Sequence, residues 1–456
     1  MKFISLFSCH KMLAVNFFIL TLSCESNQGL YLFMNIPSLY AKFLQHPSVC
    51  TDTRKLKKGD IFFALKGPQF NGNAFVEKAL ESGAAYCVAD DDVPVNDPRV
   101  LRTNDALKTL QDLAAHHRRQ FNIPVIAITG SNGKTTTKEL MHAALSAKYK
   151  TYTTEGNLNN HIGIPLTLLK IKEDAEIAIV EMGANHQREI AGYCTYTQPT
   201  HGLITNCGKA HLEGFGGIEG VRKGKGELYD YLRDNKQTAF VNAQLDYLVE
   251  MSAGIEHIIY YGKEQTQFSG RALPDSALLQ VALMNGKHIR TQLVGNYNIH
   301  NVLAAYAVGI TMGVAEDALI AAIENYHPDN HRSQMIQWKN NTVILDAYNA
   351  NPTSMKAAIE NFAAMKATGK ILALGSMKEM GTESDREHRS LVDLIAQYPW
   401  EKVLLVGDEF KELPGHVLHF SSSKDAGVWL KAQQYQGMHI LVKGSRGTQM
   451  EKVLED

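Results

Sequence analysis

The residues with the clearest chemistry are Thr129-Gly-Ser-Asn-Gly-Lys-Thr-Thr136. The run Val125-Ile-Ala-Ile-Thr129 reads as a buried parallel strand, and residues 134–148 read as the helix behind it. Glycines between a strand and a helix let the backbone turn tightly and aim successive N–H groups at phosphate oxygens. The helix N-terminus adds partial positive charge. Lys134 supplies a point charge for the outer phosphates, and the Thr135 hydroxyl suits magnesium. Gly130, Ser131, Asn132, Gly133, Lys134, Thr135 and Thr136 are therefore expected to hold the phosphates of a ligand. Two residues separate the glycines instead of the four of the commonest phosphate loop.

Further along, Glu181 closes an apolar strand over residues 176–181, at the carboxyl end where ligands bind in α/β sheets. A carboxylate there suits hard cations. His211 sits in Lys209-Ala-His-Leu-Glu-Gly-Phe215, just after the next strand, residues 202–206. Taken alone, a loop histidine is more often structural or solvated. Lys225, in Gly224-Lys-Gly-Glu-Leu-Tyr229, reads by itself as a flexible surface lysine, with Lys223 as a rival.

The elements that must position these groups fall into three blocks, as a 456-residue length suggests. Residues 34–104 hold short apolar runs separated by polar turns, predicting a small α/β domain, and an amphipathic stretch over residues 105–121 follows. Residues 105–327 alternate strand and helix signals, with an Asn285-Gly286 hairpin and an alanine-rich helix over residues 299–311. Residues 328–456 carry strands at 342–346, 370–374, 402–406, 416–420 and 439–443, predicting a Rossmann-like parallel sheet. The fold class expected is thus α/β in three domains.

Composition is that of a globular protein, with 45% hydrophobic and 20% charged residues. A net charge of −1 leaves no basic field for nucleic acid, so anionic ligands must be held locally. The six cysteines show no CxxC pair and no metal spacing. Lys2, Lys11 and the apolar run 12–20 resemble a short signal peptide, but the run is too short to cross a bilayer comfortably. An exported enzyme would find no ATP. Translation is therefore expected to begin at Met34, with residues 1–33 a mis-assigned leader.

The loop Thr-Gly-x-Asn-Gly-Lys-Thr-Thr after a hydrophobic strand resembles the ATP loop of the Mur ligases and the folylpolyglutamate synthases. The resemblance implies an amide-bond ligase in which ATP phosphorylates a carboxylate and an amine then displaces phosphate. It makes Lys134, Glu181, His211 and Lys225 the catalytic set, and Thr135, Glu181, His211 and Lys225 the ligands of two magnesium ions. Lys225 would serve as a carbamate, since an ammonium would repel a cation that a carbamate binds. Asn159 and Asn160, in Asn157-Leu-Asn-Asn-His-Ile-Gly-Ile-Pro165, resemble the family's substrate segment. Asn298, His300 and Asn301 resemble its adenine motif, and Arg332 and Asp346 its C-terminal ATP contacts.

Thr51-Asp-Thr-Arg54 and Gly59-Asp-Ile-Phe-Phe-Ala-Leu-Lys-Gly67 are similar to the UDP-binding domain of the later Mur ligases, which folylpolyglutamate synthases lack. Thr53 and Arg54 are accordingly substrate candidates in the 34–104 domain. Family members that add diaminopimelate carry Asp-Asn-Pro-Arg in the third domain. Here Asp346-Ala-Tyr-Asn-Ala-Asn-Pro352, Leu374-Gly-Ser-Met-Lys-Glu-Met-Gly381 and Val442-Lys-Gly-Ser-Arg446 look instead like members that add a D-alanyl-D-alanine dipeptide to a UDP-N-acetylmuramoyl-tripeptide. Tyr348, Asn349 and Asn351 join the substrate list on that basis. Leu345 and Ala347 depart from the usual pattern around Asp346. The resemblance further implies a cytoplasmic monomer in peptidoglycan synthesis, without stable membrane insertion, whose third domain closes about hinges near residues 105–124 and 326–332 to keep water from the intermediate. A non-catalytic nucleotide-binding derivative is the competing reading; it would lack Lys134, Glu181 or His211, and all three are present.

Overall fold

The computed structural model describes residues 34–274, 277–329, 331–367, 369–410 and 417–455, so the expected leader lies outside the described residues. The chain opens with the helix Ile36–Gln45, whose first turn is capped by the Asn35 side chain and carries Pro37. Four parallel strands follow in spatial order Val49–Cys50, Ile61–Phe63, Tyr86–Ala89, Val100–Arg102. The helix Ala106–Arg118 then packs between this sheet and the next. Asp105 caps it by accepting from the Lys108 N–H at 2.8 Å.

The second sheet carries the site. Its six strands run parallel in the order His257–Tyr261, Thr238–Asn242, His201–Ile204, Val125–Thr129, Ile177–Glu181, Thr151–Thr153. The neighbouring strands Val125–Thr129 and Ile177–Glu181 are buried along their whole length, as near-continuous apolar runs in a parallel sheet should be. The phosphate-loop helix Lys134–Ser146 and the alanine-rich helix Ile299–Thr311 pack together over one face. A separate antiparallel sheet, Gly270–Ala272, Leu278–Leu283 and His288–Val294, contains the expected hairpin, with Gly286 at φ 86° in its turn.

The last sheet corrects the expectation of a parallel sheet in one respect. Its order is Gln334–Trp338, Asn341–Asp346, His439–Lys443, Lys370–Gly375, Lys402–Val406, Leu418–Phe420, and the first strand runs antiparallel to its neighbour. Lys339 and Asn340 turn this hairpin with φ of 46° and 62°, the two-residue left-handed geometry that a twisted hairpin needs. Neither residue is a glycine, so the usual hairpin signal is missing there. Of the expected strand over 416–420 the structure shows Leu418–Phe420; Val417 precedes it outside regular structure, and position 416 lies outside the described residues.

Candidate active site

The carboxyl ends of the second and last sheets face one another across a cavity of about 990 Å³. The phosphate loop forms its floor. Gly130, at φ 142°, sits where a Cβ would come within 2.0 Å of Thr205 Oγ1, and Gly133, at φ 81°, where one would meet Asn301 Oδ1 at 2.5 Å. Only glycine fits either place. Polar bonds pin the loop from outside: the Ser131 hydroxyl donates to the Gly208 carbonyl at 2.9 Å, and the Asn132 N–H to Asn206 Oδ1 at 3.1 Å. Lys134 folds back to donate to the Gly130 carbonyl at 2.6 Å. Burial lowers its pKa below that of an ordinary lysine, an effect the nearby Glu181 charge opposes. Thr135 and Thr136 are buried at the start of the helix.

Glu181, 1% exposed, ends its strand beside the loop. Its Oε1 accepts from Asn159 Nδ2 at 2.7 Å and from the Thr135 hydroxyl at 3.2 Å. Its buried Oε2 has no hydrogen-bond partner among the described residues. A buried carboxylate oxygen left open next to a phosphate loop is the donor that a hard cation takes, so the residues present fit magnesium. Among the described residues no three His, Cys, Asp or Glu side chains converge, so a cation here would draw on hydroxyl and phosphate oxygens as well.

His211 reaches the same cavity from a left-handed backbone position, φ 53°, and its Nδ1 lies 2.5 Å from Glu379 Oε2 of the last domain. Glu379 is likewise left-handed, φ 63°. The His211 imidazole holds the Glu379 carboxyl below the usual carboxylate range. Lys225 does not line the cavity: it is 1% exposed and donates to the Ala184 carbonyl at 3.0 Å behind the wall. Burial, reinforced by the Lys134 charge, brings its pKa down to about 7. A buried lysine that gives up its proton more readily than usual stands where the residues read alone suggest a flexible surface side chain.

A polar relay crosses from the phosphate-loop helix to the last sheet. The Thr137 hydroxyl donates to Asn301 Oδ1, Asn301 Nδ2 to Asn298 Oδ1, and Asn298 Nδ2 to Ser333 Oγ, at 3.0, 2.8 and 3.3 Å. The Ser333 N–H then donates to Asp346 Oδ1 at 3.2 Å, and Lys443 holds Asp346 Oδ2 at 2.5 Å. Arg332 stacks on the Tyr348 ring, 3.6 Å from its centroid, and its buried Nε has no hydrogen-bond partner among the described residues. Asn349 and Asn351 line the same wall, and Asn351 Nδ2 donates to Asn132 Oδ1 of the phosphate loop at 2.7 Å. Lys209 pairs with the buried Glu387 at 2.6 Å, a second tie between the domains.

Asn159, Asn160, Asn298, His300 and Asn301 all line the cavity. Thr53 and Arg54 do not. Arg54 is 85% exposed and pairs with Asp52 two residues away, in the turn that follows the strand Val49–Cys50 and outside this cavity. Ser333, Lys443 and Glu379 were not among the site residues expected from sequence. Lys443 had a readable signal, a charged residue closing an apolar strand as Glu181 and Asp346 do. Ser333 and Glu379 depend on left-handed backbone that no residue type announces.

Comparison with known proteins adds to this geometry. Residues 47–127 match the Mur ligase family, catalytic domain; residues 128–309 match the Mur ligase middle domain; residues 331–446 match the Mur ligase, glutamate ligase domain. The chain is 32% identical to the UDP-N-acetylmuramoyl-tripeptide–D-alanyl-D-alanine ligase of Bacillus subtilis, over 90% of this chain and 92% of that one. It is 35% identical to the ligase of the same name from Escherichia coli, over 89% and 92%. Among solved structures it resembles MurF from Acinetobacter baumannii, with TM-score 0.80 and 33% identity over 89% of this chain and 92% of that one. It also resembles the MurF ligase from Thermotoga maritima in complex with ADP, with TM-score 0.81 and 26% identity over 90% and 97%.

Proposed function

The chain belongs to the Mur ligase family, and from that premise we infer that it is an ATP-dependent ligase joining D-alanyl-D-alanine to UDP-N-acetylmuramoyl-tripeptide in peptidoglycan precursor synthesis. The observation that carries this reading is the cavity itself. It sets a phosphate loop and the half-open carboxylate of Glu181 opposite the Arg332, Asp346 and Lys443 wall of another domain. Residues 34–104 would take the UDP moiety, 105–327 the nucleotide, and 328–456 the dipeptide.

The reaction follows from those positions. An oxygen of the tripeptide's terminal carboxylate attacks the γ-phosphorus, the bond to the β-phosphate oxygen breaks, and ADP leaves. The dipeptide amine then attacks the acyl carbon, phosphate leaves, and the amine gives up a proton. Lys134 lowers the repulsion between the approaching anions, and most of the remaining rate comes from positioning. Magnesium, held by Thr135, Glu181 and His211 and present as two ions, would supply charge neutralisation between the phosphates and the attacking carboxylate. Lys225 would complete this set as a carbamate: its lowered pKa, about 7, supplies the neutral amine that adds CO₂, and the carbamate would turn from the Ala184 carbonyl toward Glu181.

The domain ties Asn132–Asn351, Lys209–Glu387 and His211–Glu379 support a closed arrangement that shields an acyl phosphate from water. No helix among the described residues is long and apolar enough to cross a membrane. We assign the protein to the cytoplasm, where ATP and UDP-linked precursors coexist, as a monomer. Phosphate release that requires both substrates tests the reading.

A further inference from the structure

One buried lysine takes no part in the mechanism above. Lys138 lies one helical turn beyond Lys134 and is 0% exposed. Its ammonium donates to the Thr154 carbonyl at 2.5 Å and lies 2.7 Å from Glu139 Oε1. Removing an ammonium from water is costly, and a plain core position would hold leucine or methionine at lower cost. The partners show what the charge is spent on. Thr154, itself 0% exposed, uses its hydroxyl oxygen to accept the Glu181 N–H at 3.0 Å. The chain then runs from Thr154 into the segment 157–161 that lines the cavity, and from it Asn159 returns to Glu181 Oε1 at 2.7 Å. The backbone also closes on itself, with the Gly183 N–H donating to the Asn159 carbonyl at 2.8 Å.

Thr154, Glu181 and Asn159 thus form a circuit in which each holds the next, and Lys138 is the point where the circuit is fastened to the phosphate-loop helix. Thr135, three residues before Lys138 on that helix, meets the same Glu181 oxygen from the other side. We propose that Lys138 is a positioning residue. Through Thr154 it fixes the Glu181 carboxylate and the 157–161 segment in register with the phosphate loop, so that cation and tripeptide carboxylate are presented together to the γ-phosphate. The proposal rests on the ligase reading above.

The test uses two variants of the whole chain, Lys138→Met and Thr154→Val. The first keeps side-chain length and removes the donor. The second keeps the carbonyl that Lys138 holds and removes the acceptor of the Glu181 N–H. Supports behind a metal site typically change affinity or activity by about 10–100-fold. Calorimetric binding of UDP-N-acetylmuramoyl-tripeptide should weaken about tenfold in both variants. The magnesium concentration for half-maximal phosphate release should rise by a similar factor, while the KM for D-alanyl-D-alanine, held by the other domain, stays within about twofold of wild type. A lysine that merely stabilises the fold lowers kcat through the folded fraction and moves no half-saturation; that pattern, or unchanged tripeptide binding, overturns the proposal. Should Lys138→Met not fold, Lys138→Gln, which is shorter and uncharged, takes its place, and the same half-saturation readouts decide. Wild-type protein that neither binds the tripeptide nor releases phosphate overturns the ligase reading beneath it.

Discussion

Asp346 and Lys443 end two neighbouring parallel strands at the same register, and their charges meet at 2.5 Å on the wall that faces the phosphate loop. The Lys443 side chain is 3% exposed and that of Asp346 16%. Removing one partner strands a buried charge, which costs roughly 3–5 kcal/mol, whereas removing both costs far less. Asp346→Asn and Lys443→Met are each expected to lower the urea midpoint strongly. The double variant should recover most of the stability and none of the activity, because Asp346 also anchors the Ser333 end of the relay. Equal stability loss in the double and single variants would contradict a paired role.

Asn351 does two separable things. Its Oδ1 accepts the Ser354 N–H at 2.9 Å and caps the helix Pro352–Ala364, while its Nδ2 donates to Asn132 in the phosphate loop. Asn351→Ala loses the cap, worth about 1 kcal/mol, together with the contact. Asn351→Asp keeps the cap and brings a negative charge beside the nucleotide phosphates. Its thermal midpoint should match wild type while the KM for ATP rises about tenfold or more. An unchanged KM would place Asn351 outside the nucleotide site.

Acid should destabilise the fold through its buried histidines. Burial lowers the pKa of His117, His142, His300 and His388, and that of His201 to about 4. The unfolded chain titrates near 6.5, so between pH 6.5 and 4 it binds a proton at position 201 that the folded chain refuses. Stability therefore falls as pH drops through that window. At this partly buried position the loss is expected to be roughly 1–2 kcal/mol after solvent screening. Urea midpoints across pH 4–7 should show the slope, and His201→Gln should flatten it; an identical slope in the variant would remove His201 as a cause.

Lys225 gives a different pH signature. Carbamate formation consumes the neutral amine and CO₂ and releases a proton, so with a pKa of about 7 it should grow as pH rises through neutrality. In ¹³C-bicarbonate buffer a carbamate carbon signal should appear above that pH and vanish in Lys225→Met. Lys225→Glu, which places a carboxylate behind Ala184, should retain more activity than Lys225→Ala. Full activity of Lys225→Ala, or a bare amine in catalytically competent protein, would refute the carbamate.

Much of this was legible in the sequence, and what was not has a physical reason. Glu181, Asp346 and the phosphate loop announce themselves because a polar group closing a continuous apolar strand has few structural uses. The roles were less legible than the places. Asn159, expected to face substrate, spends its amide on Glu181. Lys225 reads as a surface lysine because nothing in Gly224-Lys-Gly foretells that the helix Ile218–Asp234 turns that face inward. Ser333, Glu379 and the antiparallel edge strand Gln334–Trp338 depend on left-handed backbone at Ser333, Lys339, Asn340 and Glu379, where tertiary contacts override residue preference.

The most direct test of the central claim is phosphate release from ATP by the purified protein, with product masses, when UDP-N-acetylmuramoyl-tripeptide and D-alanyl-D-alanine are supplied singly and together. The account predicts release only with both, a UDP-N-acetylmuramoyl-pentapeptide product, and none from Lys134→Ala. Release with a single amino acid and a shorter precursor, or no release under any combination, would contradict it.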